Sequence, residues 1–206
     1  MADAASPFSP NRVSWSGENP GIYLKDSAGG KFTALASFFR VVLSPHGPGK
    51  AVVVCGAPDQ AAGPEAGNFV IADNEQLARW LVSDFVAHFG AFKDKPALKG
   101  LGYLKLDKAE TRGDIRSSWV ESISGGGRRL EMTWSRLGQP VCVDVPPAQS
   151  ATGKHQMYSL FVNAEAATLA LDGKALPGGV FERPFFGRPD GRTAFLAFSE
   201  TWLEPV

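Results

Sequence analysis

The sequence predicts a mainly β protein (α+β by strict count): an antiparallel barrel or two-sheet sandwich of about 8–11 strands, with one amphipathic helix over about residues 74–89. Three observations predict it. After Gly100 the apolar residues recur at every second position between short Gly-containing turns. One window alone, from Leu77 to Phe89, changes to helical spacing. Strands joined by such short turns must run antiparallel, because a parallel crossover needs about a dozen residues.

Taken in order, residues 1–12 are rich in Pro, Ser and Ala and read as an irregular N-terminal segment. Gly21–Lys25 reads as a short strand and Phe32–Leu43 as a long one, with Leu35, Phe39 and Val41 in one phase. Ser44–Gly49 is a turn by its Pro and Gly content. Ala51–Cys55 is an unbroken apolar run, the mark of a strand buried on both faces or central in a sheet. A loop over Gly56–Gly67 precedes a brief strand at Phe69–Ala72.

The helix follows. Asp73 and Gln76 have the spacing of a capping box, with Asn74 and Glu75 in the first turn. Leu77, Trp80, Leu81, Phe85 and Phe89 form its apolar stripe, Gly90 suits the C′ position, and Pro96 bars extension. Turns at Arg112-Gly113-Asp114, Ser124–Gly127 and Leu137-Gly138-Gln139 then divide Tyr103–Val145 into four strands. His155–Asn163 is another strand, Asp172-Gly173 has hairpin chemistry, and Asp190-Gly191 introduces a last strand over Thr193–Trp202.

The 206 residues read as one domain, long enough to bury a core without metal or disulfide support. Lys plus Arg and Asp plus Glu number 21 each, so no net charge draws the chain to nucleic acid or anionic lipid. Arg183, Arg188 and Arg192 read as solvated turn residues. No window approaches the roughly 20 apolar residues that span a bilayer, and the N-terminus carries no signal-like run. Cys55 and Cys142 sit alone in Val-rich runs, as small buried thiols of a reducing compartment do. The expectation is a cytoplasmic protein that binds neither nucleic acid nor membrane. Nothing in the sequence specifies an oligomeric state.

Phasing the strands by their apolar face places several polar residues inward. Ile115, Ser117, Trp119, Glu121 and Ile123 share one phase. So do Leu130, Met132, Trp134 and Arg136, then Val141, Val143 and Val145, and finally Leu196, Phe198, Glu200 and Trp202. Turn lengths allow Trp119 to sit near Met132, and Trp134 near Val143. Glu121, Arg136 and Glu200 thus fall on a buried side, where an unpaired charge costs several kcal/mol. Such residues must be paired, wet or at a rim.

Motif chemistry is otherwise absent. Ser44–Ala51 lacks the first glycine and the closing Ser or Thr of a phosphate loop, and Gly100-Leu101-Gly102-Tyr103 lacks a third glycine. His46, His88 and His155 stand apart from one another and from cysteine or carboxylate partners, so neither a metal nor a cofactor is expected. The architecture resembles lipocalin-like barrels, although Trp15-Ser16-Gly17 runs opposite to their Gly-x-Trp signature. A flavin-binding split barrel is the other architectural parallel, and no phosphate-binding pattern accompanies it.

The functional expectation is binding of a small apolar or amphipathic ligand inside a barrel cavity. Trp119, Glu121, Met132, Trp134, Arg136, Glu200 and Trp202 would form the site. The alternatives are an isomerase- or hydratase-type enzyme using Glu121 or Glu200 as acid or base, and a protein-interaction domain with no ligand.

Overall fold

A computed structural model of the chain describes residues 13–204. The segment expected to be irregular, 1–12, lies outside the described residues. In chain order the strands are β1 (Val13–Glu18), β2 (Gly21–Lys25), β3 (Phe32–Leu43), β4 (Gly49–Cys55) and β5 (Asn68–Ala72). After the helix α1 (Glu75–Asp84) come β6 (Gly102–Gly113), β7 (Ser118–Gly125), β8 (Arg128–Leu137) and β9 (Val141–Val145). Strands β10 (Gln156–Leu171), β11 (Lys174–Ala175) and β12 (Ala194–Leu203) complete the list.

Nine of these strands close a barrel in the order β12-β2-β3-β4-β5-β6-β7-β8-β10, and β10 returns to β12 through pairs such as Met157↔Trp202 and Phe161↔Ala197. The fold is mainly β with one α-helix. Of the two expected architectures it is the barrel. Among the described residues its one parallel pair is β5–β6, from Phe69↔Gly102 to Ala72↔Lys105. Parallel neighbours require a long crossover, and α1 with its following turns is that crossover.

Side chains alternate between two cores. Ile22, Phe38, Val54, Ile71, Met132 and Trp134 fill the barrel interior and are essentially inaccessible. On the outer face Leu35, Phe39, Val53 and Val70 meet Leu77, Leu81 and Phe85. Each aliphatic side chain so buried contributes about 1.5–3 kcal/mol. β3 to β5 are therefore covered on both faces, which explains the unbroken apolar run of Ala51–Cys55. α1 flanks the barrel. β7 and β8 are covered on the inner face alone and keep clean two-residue alternation.

The helix starts one residue later than a capping box at Asp73 requires. Asn74 is the N-cap, its Oδ1 accepting from Leu77 N at 3.1 Å, while Asp73 Oδ1 accepts from Lys50 N at 2.6 Å. Asp73 is drawn to the neighbouring strand.

Three further expectations are corrected. β9 does not extend the β8 ladder sideways. It pairs the first half of β10 (Val143↔Ser159), while β8 pairs the second half (Trp134↔Ala167). Val143 consequently joins the helix-side core, away from Trp134 in the interior. Cys142, in the opposite phase of β9, is exposed and is not a buried thiol; Cys55 is buried. Ile115 and Ser117 are also exposed, because Asp114 caps a turn there with its Oδ1 accepting from Arg116 N and Ser117 N.

Candidate functional site

The residues singled out by alternation separate into three places. Trp119, Glu121, Met132 and Trp134 share the barrel side, with Trp119 opposite Trp134 and Glu121 opposite Met132. Trp134 donates from Nε1 to the Gly21 carbonyl at 3.1 Å, and with Met132 it belongs to the packed interior.

Glu121 is fully buried and has the partner that burial demands, but from an unforeseen strand. Arg40 of β3 reaches its Oε1, Trp119 Nε1 donates to the same oxygen at 2.6 Å, and Thr111 Oγ1 donates to Oε2 at 2.9 Å. Glu18 holds Arg40 from the other side at 3.2 Å. Burial pushes the Glu121 carboxyl up from its usual range, against the pull of Arg40 and the two donors. Three donors thus engage this carboxylate.

Arg136 is not its partner. A φ of 52° turns that end of β8 outward, and the exposed guanidinium lies 4.0 Å from Glu165.

Glu200 and Trp202 belong to a different face from Leu196 and Phe198. The ladder between β10 and β12 slips between Tyr158↔Thr201 and Leu160↔Phe198, and Ser199 adopts φ 51°. This is a bulge, and one extra residue inverts every following side chain. Leu196 and Phe198 face the barrel interior, while Trp202 joins the helix-side core. Glu200 is carried to that side too, and is 3% exposed.

Here the structure opens a cavity of about 540 Å³, between the barrel's outer wall, the end of the helical region and the loop before β12. Its walls are aromatic: Tyr23, Phe161, Phe185, Phe195 and Trp202, with Met157 and Ala91. Tyr23 and Phe161 each pack against Phe195 with centroids 5.4 Å apart, and Phe161 meets Phe185 edge-on at 5.0 Å. Polar groups are few. Asn19, Tyr23, Arg183 and Glu200 are the ones that bear on the chemistry.

Glu200 Oε1 accepts from Trp202 Nε1 at 2.7 Å and from Asn19 Nδ2 at 3.4 Å. Among the described residues Oε2 has no hydrogen-bond donor. Burial raises the carboxyl from 4.5 to about 7, although Trp202, Asn19 and the charge of Arg183 all favour the ionised form. Tyr23 is likewise pushed by burial to about 12 and stays neutral.

Arg183 is positioned by its loop. Its amide donates to Gly191 O at 3.0 Å and its Nε to Arg192 O at 2.7 Å, while the guanidinium stacks 4.7 Å from the Phe195 centroid. Gly191 is required there, since a Cβ would lie 2.3 Å from Phe185 Cβ and 2.5 Å from Arg183 O. No carboxylate pairs with Arg183 among the described residues, and its Nη1 and Nη2 donate to no acceptor among them. Arg192, by contrast, pairs with Glu182 at 3.3 Å. Arg183 is half-buried and borders the cavity, so it differs from the freely solvated turn residue expected of it.

Of the predicted site, then, only Glu200 and Trp202 line this cavity. Asn19, Tyr23, Phe161, Arg183 and Phe195 escaped sequence reasoning; Arg183-Pro184-Phe185-Phe186 lies in the long loop between β11 and β12. The other long loop, Gly56–Gly67, is pinned from within: Asn68 Nδ2 donates to Ala57, Gln60 and Ala62 carbonyls at 3.2, 3.1 and 2.7 Å.

Among the described residues no group of three or more His, Cys, Asp or Glu is placed to hold a metal ion, and no helix is long and apolar enough to cross a membrane. The chain matches no protein-family model, no curated protein and no solved structure.

Proposed function

We propose that this protein binds a small apolar or amphipathic molecule, held in the aromatic cavity against the outer barrel wall rather than inside the barrel. One observation carries the reading: an aromatic-lined space of about 540 Å³ into which few polar groups converge. Small-molecule sites typically occupy about 300–1,000 Å³ with this mixture of apolar walls and sparse polar anchors. The packed interior around Met132 and Trp134 favours the outer cavity over the lumen.

The test is titration with the neutral fluorophore N-phenyl-1-naphthylamine. Saturable one-to-one binding is expected, and Ala91→Trp, which fills the space beside the helix end, should abolish it while thermal melting stays cooperative. Absence of saturable binding by this fluorophore and by a panel of neutral aromatic compounds overturns the reading.

A second reading, acid–base catalysis on the bound molecule, is supported by Glu200 alone. A carboxyl with its pKa near 7 exchanges a proton readily at neutral pH, and it borders the cavity. Its test is turnover: conversion of a bound compound that survives Glu200→Gln removes the role.

A further inference from the structure

We propose that the cavity selects an apolar monocarboxylate, whose carboxylate group lies between the Arg183 guanidinium and the Glu200 carboxyl. The inference rests on the ligand-cavity reading and names the chemical class of its occupant.

The charges lining the cavity lead to this. Four ionisable groups other than Tyr23 border it: Lys25, Glu182, Arg183 and Glu200. Lys25 is engaged at the edge, donating from Nζ to Ala28 O at 2.7 Å and lying 5.5 Å from the Phe32 centroid. Glu182 is engaged by Arg192. That leaves Arg183 and Glu200, which sense each other's charge yet form no ion pair within contact distance.

Both are incompletely partnered on the cavity side. Arg183 is held through Nε and its aromatic stacking, with both Nη groups free of acceptors among the described residues. Glu200 is held through Oε1, with Oε2 free of donors among them. A guanidinium in an aromatic surround needs an anion, and two coplanar Nη–H donors match a carboxylate in geometry. A protonated Glu200 can donate one further hydrogen bond to the same carboxylate through Oε2.

The charge count sets the valence. With Glu200 protonated, the two groups carry a single positive charge, which one carboxylate neutralises. A phosphate dianion would carry one negative charge more than the pair neutralises, and would hold it beside Glu200 among aromatic walls. The aromatic walls take the remainder of the molecule.

The experiment compares 1-naphthoate with its neutral isostere 1-naphthamide by calorimetry on the full chain at pH 6. The acid is expected to bind at least tenfold more tightly than the amide. In Arg183→Gln that ratio should fall to about one, and in Arg183→Lys it should remain between the two, which separates loss of charge from loss of fold. Equal affinities in the unaltered protein, or an acid preference that survives Arg183→Gln, overturn the inference while leaving the ligand cavity standing. If neither compound nor the neutral fluorophore binds, the cavity reading fails and the inference with it.

Discussion

Asn19 donates from Nδ2 to Oε1 of Glu200 at 3.4 Å, joining the kink between the first two strands to the last one. Asn19 is itself fixed, because its Oδ1 accepts from Ser37 Oγ at 2.6 Å. Its neighbour Pro20 has no N–H, so the ladder breaks where β1 passes into β2. The broken strand and the bulge at Ser199 are neighbours: Asn19 N donates to Ala197 O at 2.9 Å, and Gly17 pairs with Glu200. Two local irregularities thus place one carboxyl at the cavity.

The burial of Glu200 links stability to pH. Its folded pKa, about 7, lies above the unfolded 4.5, so its contribution to stability is complete below pH 4.5 and is lost as pH rises through 7. The groups facing it are Arg183 from the loop, Tyr23 from β2, and the donors Asn19 and Trp202. Glu200→Gln mimics the protonated form. Near pH 5 it should lie within about 1 kcal/mol of the unaltered protein, and above pH 7 it should be more stable by on the order of 3 kcal/mol. Melting curves from pH 5 to 8 check this, and parallel profiles for the two proteins would refute it.

Ser199 bears the backbone cost of the bulge. A side chain at φ 51° costs about 1–2 kcal/mol, and a β-branched one costs more. Ser199→Val should lower stability by about 2 kcal/mol in urea unfolding. Ser199→Gly should leave it within about 1 kcal/mol of the starting value.

At the barrel end, Arg40→Met leaves Glu121 buried without its counter-charge. The expected loss is about 3 kcal/mol, because an orphaned buried carboxylate costs more than a missing pair. Adding Glu121→Gln to the same chain should recover part of that loss. An additive double variant would show that the two side chains are uncoupled.

Gly191→Ala tests the loop that presents Arg183. The added methyl collides with Phe185 and the Arg183 carbonyl, so the guanidinium must shift. Affinity for 1-naphthoate should fall at least fivefold, measured by calorimetry, while thermal melting moves to lower temperature and stays cooperative.

What the sequence made legible was periodic. The β7 and β8 alternation placed Trp119, Glu121, Met132 and Trp134 on one side because the outer faces of those strands meet water. The same reasoning misplaced Glu200 and Trp202 relative to Leu196, since one residue in the left-handed region reverses a phase and Ser199 carries no composition signal for it. Arg40 was hidden for another reason. It lies in a strand covered on both faces, where alternation between apolar and polar disappears, and its partner is 81 positions away. Arg183 was hidden by its loop, whose arginines look alike until the backbone shows that Arg192 has an acid and Arg183 has none.

The strand that completes the ring, β12, is also the one that bears Glu200 and Trp202. β12 pairs β10 along one edge, and β2 and then β1 along the other, so a molecule held against Glu200 and Trp202 would be coupled to both flanks of the ring. A molecule held there at a hundred times its dissociation constant adds about 2.7 kcal/mol to the protein as a whole. Its imprint on hydrogen exchange should accordingly appear around the entire circumference, in staves that never touch it.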